Sequence, residues 1–363
     1  MLWVLILALF YGFVLLQPAA AQTPAGLLTL GPEEPPLPAE RDWERLGVSN
    51  YELRVLERFY RDEVGVEGFH IAYESGDLNM TGVLVQPHIE LPDPDEPTPM
   101  VINPETGEEE EEEEITYPLI VLSHGSPYGV SPAYREIAIE LAHQGYIVVS
   151  PTFRGRAGLE GKSQGLVELA KGEVIDLLQL TQIARQIEYV DSLRMGIVGF
   201  GDGATTVLPT IERSNVFQVA IAVSPAPFGG LAEFGYAGYG VLQRRSQELF
   251  GRELSRNELL RELYARDAFR NVDRITTPLL MIITGEDPSH KDQLYFVTNL
   301  QHYGIGYRLL EYPTMSPGFL TAIDDGIHPP GWHEVRDAAW GEILALLDEH
   351  LQLPEEEEGL EGE

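Results

Sequence analysis

Short, continuously apolar runs alternate with amphipathic stretches along most of the chain. The apolar runs cover residues 69–73, 81–85, 117–122, 146–149, 195–198, 216–223, 279–283 and 307–312, and the stretches with helical spacing cover residues 133–143, 172–187, 204–211, 292–303 and 332–350. Strands that are apolar on both faces and take turns with helices are typical of a parallel sheet with helices on both sides. The pattern therefore predicts an α/β fold with a mostly parallel, eight-stranded sheet flanked by helices. In such a sheet, ligands bind at the carboxyl ends of the strands.

The composition excludes several classes of function. The chain has 363 residues and contains 58 Asp and Glu against 24 Lys and Arg, which gives a formal net charge of −34. A surface this acidic repels phosphate, so we expect no nucleic-acid partner. Cysteine is absent from the sequence, which excludes disulfide bonds, thiolate-bound metals and a thiol nucleophile. We also expect no cofactor and no catalytic metal.

Two acidic segments are expected to carry no packed structure. Residues 108–114 are all Glu, and residues 354–363 include six Glu. Like charges repel one another in such runs, so we predict a solvated acidic loop over residues 88–116 and a disordered tail over residues 354–363. An alternative is that the acidic runs bind divalent cations or dock a partner.

The first residues of the chain indicate export. Residues 2–16 form an unbroken apolar run, and Ala19 and Ala21 provide a small-residue cleavage site. This run is shorter than the roughly 18 residues of a spanning helix, so residues 1–21 are predicted to be a signal peptide of a secreted, periplasmic or cell-surface protein. No Lys or Arg precedes the run, which leaves an uncleaved membrane anchor as the alternative. Residues 22–66 are predicted to be a linker and a helical arm, because Leu53, Val55 and Leu56 have a spacing that suits short helices.

Several motifs, in a characteristic order, carry a resemblance to a known fold family. They are T-G-V-L-V-Q-P at residues 81–87, P-L-I-V-L-S-H-G at 118–125, F-R-G at 153–155, R-M-G-I-V-G at 194–199 and Y-P at 312–313. Together they resemble α/β-hydrolases, in particular dienelactone hydrolases and the catalytic domains of prolyl oligopeptidases and dipeptidyl aminopeptidases. The resemblance implies an α/β-hydrolase domain over residues 67–353 with a helical cap inserted over residues 226–272. It also implies hydrolysis of ester or peptide bonds by a triad of Ser, His and an acid.

The positions that match the family's triad hold neither its nucleophile nor its base. The family's G-x-S-x-G turn exposes a serine between small residues, and here it reads G-F-G-D-G with Gly201 at the serine position. Pro317 stands where the resemblance places the histidine, while Asp287 keeps a carboxylate at the acid position. Glycine has no side chain that could form an acyl-enzyme. We therefore predict that the triad is lost and that the protein is catalytically inactive.

The rest of the pocket is expected to survive. By the resemblance, the oxyanion donors are the backbone N–H groups of Asp202, at a helix N-terminus, and of Ser126, because Pro127 has no N–H to donate. Such a pair of donors favours a carboxylate or another small anion. The side chains expected to line the pocket are those of His124, Arg154, Phe200 and His328.

The sequence supports two functional hypotheses. The first is an exported, inactive protein with a hydrolase fold that acts by binding or assembly, with a ligand or protein partner that the sequence does not name. The second is an active esterase or peptidase that uses Asp202 as a non-standard nucleophile or His328 as a displaced base. An Asp202 nucleophile requires the turn to slip by one residue, which places bulky Phe200 where the turn demands a small residue.

Overall fold

A computed structural model of the chain describes residues 53–63, 65–89, 100–102, 109–111, 115–227, 233–321 and 328–351. The strands are β1 (Leu53–Arg61), β2 (Val66–Ser75), β3 (Leu78–Pro87), β4 (Met100–Ile102), β5 (Glu109–Glu111), β6 (Tyr117–Ser123), β7 (Ile147–Thr152), β8 (Ala157–Gly158), β9 (Gly161–Lys162), β10 (Val190–Phe200), β11 (Val219–Val223), β12 (Leu279–Thr284) and β13 (Tyr307–Tyr312). The helices are α1 (Pro132–His143), α2 (Gly172–Ala184), α3 (Asp202–Ile211), α4 (Glu233–Phe250), α5 (Arg256–Tyr264), α6 (His290–Tyr303) and α7 (Trp332–Leu351), and a 3-10 helix spans Val272–Arg274.

Nine of these strands form one sheet in the order β1-β2-β3-β7-β6-β10-β11-β12-β13. β1, β2, β3 and β7 pair antiparallel in turn. All the pairs from β7 to β13 are parallel. The α/β fold with a mostly parallel sheet flanked by helices is thus confirmed, and the sheet has nine strands where the sequence predicted eight.

The additional strand, β1, lies where the sequence pattern predicted a helical arm. Its pairing with β2 skips Leu56 and Phe59. Each skipped residue forms a β-bulge, which inserts one extra residue and shifts the alternation of the two faces. Two bulges within one nine-residue strand disguise the period of two as a helical spacing, so the helical prediction for this part of residues 22–66 was wrong.

Part of the predicted acidic loop also has regular structure. β5 pairs antiparallel with β4, so the prediction of a loop throughout residues 88–116 was wrong for these two strands. Val101 and Ile102 in β4 are strand-forming residues, and the backbone hydrogen bonds of the pair do not require the Glu side chains to pack. The signal peptide or anchor, the linker, most of the acidic loop and the acidic tail lie outside the described residues, and those predictions stand untested.

The sheet is covered on both faces by apolar side chains. In β6, Leu119 and Val121 belong to one buried cluster, whereas Ile120 and Leu122 belong to the other. The first cluster contains side chains of α2, α3 and α6, and the second contains side chains of α1 and α7. This two-sided burial explains why the central strands are continuously apolar in sequence.

The order of the parallel strands reverses its direction at β6. The chain runs from β6 to β7 on one side and then returns to β10 on the other side, from which β11, β12 and β13 continue outward. The crevice outside the carboxyl ends of the strands at such a switch point is where open α/β sheets bind ligands. The loop after β6 and the turn after β10 flank this crevice.

The segment between β11 and β12 contains α4 and α5. Leu242 on α4 packs with Leu259 and Leu263 on α5 in a small apolar cluster that also touches Leu169. These helices fall within residues 226–272, for which a cap was predicted, and the cap itself stays a prediction. Among the described helices, none is both long and apolar enough to cross a membrane.

A pair of identical substitutions in β1 tests the strand assignment. Leu53 is fully buried in the core, so Leu53→Ala is expected to lower the free energy of unfolding by about 2–5 kcal/mol. Leu56 is a partly exposed bulge residue, so Leu56→Ala is expected to cost less than about 1 kcal/mol. Urea unfolding of both variants measures the difference, and equal losses would contradict the bulged strand.

Candidate functional site

A sharp turn joins β10 to α3 at the edge of the switch-point crevice. Gly201 forms the turn with φ +54° and ψ −119°, a backbone conformation that residues with a side chain rarely adopt. Its N–H donates to the carbonyl of Val223 at 2.9 Å, and its carbonyl accepts from the N–H of Thr205 at 2.9 Å. This is the strained strand-to-helix turn on which α/β-hydrolases present their nucleophile.

The glycines around the turn are required by close packing. A Cβ atom on Gly199 would lie 2.6 Å from Cγ2 of Val207, and one on Gly203 would overlap the carbonyl oxygen of Ser123. A Cβ on Gly125 would lie 2.5 Å from the carbonyl oxygen of Phe200. The Ser123 hydroxyl also donates to the Gly203 carbonyl at 2.9 Å. These contacts hold the end of β6 against the first turn of α3 and thereby impose the turn at Gly201.

Gly201 itself faces open space. A Cβ atom there would have only the Cα of Gly125 within 4.0 Å among the described residues. The position that holds the family's serine therefore retains its backbone geometry and room for a side chain, but it has none. The turn supplies no oxygen or sulfur nucleophile at this residue.

Asp202 does not occupy the turn. It is the first residue of α3, and its side chain is 47% exposed with Oδ2 at 3.7 Å from Nη2 of Arg156. The strained conformation lies one residue earlier, at Gly201, so the structure does not show the slipped turn that an Asp202 nucleophile requires.

The carboxylate of Asp287 is bound by groups other than a histidine. Its Oδ1 accepts from the Ser289 N–H at 2.7 Å, and its Oδ2 accepts from the side-chain amide of Gln293 at 2.8 Å. The same amide donates to the Pro225 carbonyl at 2.7 Å. Burial raises the pKa of Asp287, although its hydrogen bonds oppose this rise. Asp287 thus fastens the loop after β12 to α6.

The segment that should supply the base lies beside that loop. The Gly285 N–H donates to the Tyr312 carbonyl at 3.0 Å, so the ends of β12 and β13 are neighbours. Pro317 follows in the turn after β13, and the preceding Ser316 places its hydroxyl 3.1 Å from Nδ1 of His328. The His328 ring packs on Trp332, with 4.7 Å between ring centroids. His328 therefore adjoins the position of the family's histidine and contacts a hydroxyl.

Two of the residues expected to line the pocket lie beneath it. Phe200 is buried and packs against the ring of Tyr134. His124 is buried between the rings of Tyr134 and Phe153. Its ring nitrogens form no hydrogen bond of normal geometry within the part of the chain that the structure describes. Both side chains support the loop after β6 from below, and neither lines an open surface.

The loop after β7 contains two arginines with different environments. Arg154, which was expected in the pocket, is buried and holds the Asp176 carboxylate through Nη2 at 2.8 Å, with Nη1 2.6 Å from Glu168. Arg154 therefore stabilises the buried structure and does not line the site. Arg156 is the arginine at the site, because Nη1 donates to the Ser126 carbonyl and Nη2 faces Asp202.

Sequence reasoning did not select Arg156. The sequence F-R-G-R at residues 153–156 places two arginines in one loop, and nothing local distinguishes them. Arg156 joins the two segments that carry the expected oxyanion donors, Ser126 and Asp202. No three His, Asp or Glu side chains come together as a metal site among the residues that the structure places.

Much of the sequence that forms this site matches a known protein family. Residues 132–320, slightly more than half of the chain, match the prolyl oligopeptidase family. The chain belongs to this family. No curated protein matches the sequence.

Solved structures with the same fold come from several kinds of hydrolase. The structure is similar to an acetyl xylan esterase from Paenibacillus sp. R4 (15% identity, TM-score 0.57, 86% of this chain and 93% of that one). It is also similar to a dienelactone hydrolase-like protein from Klebsiella pneumoniae subsp. pneumoniae MGH 78578 (14% identity, TM-score 0.54, 78% of this chain and 98% of that one). A third similar structure is the acylaminoacyl peptidase of Pyrococcus horikoshii (19% identity, TM-score 0.56, 80% of this chain and 43% of that one). The chain therefore spans less than half of that peptidase. At these identities the likeness shows the fold alone.

Matched serine substitutions test the turn of this prolyl oligopeptidase family member. Gly201→Ser is expected to cost about 1–3 kcal/mol of unfolding free energy, because the new side chain has room and only the strained φ opposes it. Gly203→Ser is expected to cost more than about 4 kcal/mol or prevent folding, because its Cβ overlaps the backbone of β6. Urea unfolding compares them, and a larger loss for Gly201→Ser would contradict the assigned turn.

The buried imidazole of His124 makes stability depend on pH. Burial, reinforced by the nearby Arg156 guanidinium, lowers the pKa of His124 to about 3. Between that value and the ordinary histidine pKa of about 6.5, the unfolded chain binds a proton and the folded chain does not, so stability falls as the pH falls. From pH 7 to pH 5 this group is expected to remove about 2 kcal/mol.

Unfolding at the two pH values checks this dependence against a variant that cannot titrate at this position. His124→Gln is expected to lose about 2 kcal/mol less than the wild type between pH 7 and pH 5. Other titrating groups are common to both proteins and cancel in the comparison. Equal pH dependence of the two proteins would show that His124 is accessible to protons in the folded state.

Proposed function

We propose that this chain is an exported member of the prolyl oligopeptidase family that does not hydrolyse its ligand and acts by binding or assembly. The observation that carries the proposal is Gly201, which occupies the strained turn of the family's nucleophile without a side chain. Close packing around the neighbouring glycines determines the conformation of this turn, and no catalytic side chain is needed to maintain it. A fold can therefore keep this crevice after the covalent chemistry has been lost.

The groups that would activate a nucleophile support the same conclusion. Pro317 has no titratable side chain at the position of the base. Asp287 accepts from Gln293 and Ser289, and in the family the acid instead orients the imidazole of the triad. Loss of the nucleophile and the base, together with a bound acid, removes each step of Ser-His catalysis from this turn.

Export is proposed from the sequence. The apolar run at residues 2–16 and the small residues Ala19 and Ala21 are typical of a signal peptide. A retained anchor would likewise direct the main domain out of the cytoplasm, so both readings agree on the compartment.

An active hydrolase that uses His328 is the second candidate function. The Ser316 hydroxyl lies at hydrogen-bond distance from this imidazole, and a serine activated by histidine is a common nucleophile. Ser316 lies in a turn after β13, however, where its carbonyl accepts from the N–H of Phe319, and not on the strand-to-helix turn that α/β-hydrolases use. Because of this difference, we rank the active hydrolase second and the inactive binding protein first.

A labelling assay separates the two candidates. The purified wild-type chain is expected to remain unlabelled by a fluorophosphonate probe, because the turn offers no activated hydroxyl. It is also expected to hydrolyse p-nitrophenyl acetate no faster than Ser316→Ala, His328→Ala or Asp202→Asn. In-gel fluorescence and release of p-nitrophenol measure the two quantities, with an active serine esterase as the positive control.

The variants show which residue is responsible for any activity that is measured. Labelling of the wild type that Ser316→Ala or His328→Ala abolishes would overturn the proposal in favour of the second candidate. Turnover that only Asp202→Asn abolishes would instead identify Asp202 as a nucleophile or base.

A further inference from the structure

The guanidinium of Arg156 is buried at the site with part of its hydrogen-bonding capacity unused. Its side chain is 7% exposed. Nη1 donates to the Ser126 carbonyl, whereas Nε has no hydrogen-bond partner among the described residues. Nη2 lies 3.7 Å from Oδ2 of Asp202, beyond the distance of a hydrogen bond. A buried charge with unfilled donors is costly, so these two nitrogens favour a further acceptor.

Arg154 shows how Nε and Nη2 of an arginine bind a carboxylate. Its Nε lies 3.1 Å from Oδ2 of Asp176, and its Nη2 lies 2.8 Å from Oδ1. Nε and Nη2 point to one side of a guanidinium and match the two oxygens of a carboxylate. In Arg156 this side of the guanidinium has no carboxylate at hydrogen-bond distance in the described structure. Two arginines in one loop thus differ in whether a carboxylate fills that pair of donors.

The groups around Arg156 favour an anion. α3 spans ten residues and begins at Asp202, so its positive end and its first N–H groups, which lack intrahelical partners, face the crevice. The missing side chain of Gly201 leaves room beside them. Glu173 also acts on Arg156, and burial raises the pKa of Glu173. The distant acidic residues are screened by salt over about 8 Å.

Asp202 is the group that an incoming anion would displace. Its side chain is 47% exposed, and its Oδ2 lies 3.7 Å from Nη2 of Arg156. Rotation of this side chain into solvent would free Nη2 of Arg156 without breaking a described hydrogen bond of normal length. A separation of 3.7 Å exceeds the length of a hydrogen bond, so a ligand carboxylate with better geometry can replace this pair.

Apolar side chains on the adjoining loops indicate the rest of the ligand. Tyr128 is 73% exposed and Leu159 is 72% exposed. The Tyr128 N–H donates to the Ser126 hydroxyl at 3.1 Å, and the Gly129 N–H donates to the Ala157 carbonyl at 3.0 Å. The first bond lies within the loop after β6, and the second joins this loop to the one that carries Arg156, so the two apolar side chains lie on the two loops that form the site.

We propose that Arg156 anchors a binding site for a carboxylate with an apolar remainder, and that Asp202 occupies this site loosely in the absence of the ligand. The proposal rests on the proposed function, since it assigns a ligand class to the crevice of an inactive family member. The carboxylate belongs either to a free organic acid or to the C-terminus of a peptide, which share the same recognition chemistry.

Isothermal titration calorimetry on the full chain tests the site. The probes are benzoate and hexanoate as free acids, benzamide as the neutral counterpart, and an N-acetylated peptide ending in Phe with a free or an amidated C-terminus. The variants are Arg156→Gln and Asp202→Asn. Arg308→Gln, which removes an exposed arginine ion-paired to Glu349, is the matched control.

The two site variants are expected to act in opposite directions. Arg156→Gln is expected to weaken carboxylate binding by about tenfold or more. Asp202→Asn is expected to tighten it by about twofold to fivefold because the competing charge is gone. Arg308→Gln should leave the affinity unchanged, and benzamide should not bind. Binding of the free acids alone, or of the free peptide alone, identifies the source of the carboxylate.

Other outcomes overturn the proposal. No heat from any carboxylate, equal affinity of Arg156→Gln and the wild type, or equal binding of benzamide would each exclude an Arg156 carboxylate site. Should Arg156→Gln fail to fold, as judged by circular dichroism, the Asp202→Asn affinity and the ¹⁵N shift of Arg156 Nε on titration of the wild type with benzoate decide the question. Fluorophosphonate labelling reports separately on the proposed function, so the two failures are distinguishable.

Discussion

The close contact between the end of β6 and the start of α3 constrains the rest of the site. Gly203 leaves no room for a side chain against Ser123, and a Cβ atom on Gly125 would lie only 2.5 Å from the carbonyl oxygen of Phe200. The chain between β10 and α3 must therefore turn sharply, and Gly201 takes the strained conformation. Packing of the end of β6 against α3 thus imposes the strained turn at Gly201, a residue that has no side chain.

The proposed loss of covalent chemistry changes what the crevice offers to a ligand. In an active family member the turn would attack a substrate, and the neighbouring N–H groups would stabilise the resulting charge. Here Arg156 contacts both segments that carry those N–H groups, because its Nη1 donates to the Ser126 carbonyl and its Nη2 lies 3.7 Å from Oδ2 of Asp202. The chemistry that we propose for the crevice is electrostatic and reversible, which suits a binding site for an anion.

Much of the fold could be predicted, because burial on both faces leaves a continuous apolar signal in each parallel strand. The prediction failed at β1, where the bulges at Leu56 and Phe59 break the alternation of faces, and at β5, where backbone pairing orders acidic residues. Among the site residues, His124 and Phe200 were expected in the pocket, but they lie in the core beneath it. A motif shows which loop approaches the crevice, yet the direction of each side chain depends on its neighbours in space.

The sequence by itself determined what is chemically absent: residue 201 has no hydroxyl and residue 317 has no imidazole, because side-chain identity is a covalent property. Only the tertiary structure decided what replaces them. It placed Gly201 in the strained turn, turned Arg154 toward Asp176, and gave Nε of Arg156 no hydrogen-bond partner among the residues that the structure describes. These outcomes depend on contacts between segments far apart in the chain, whose distances and directions no local pattern of residues encodes.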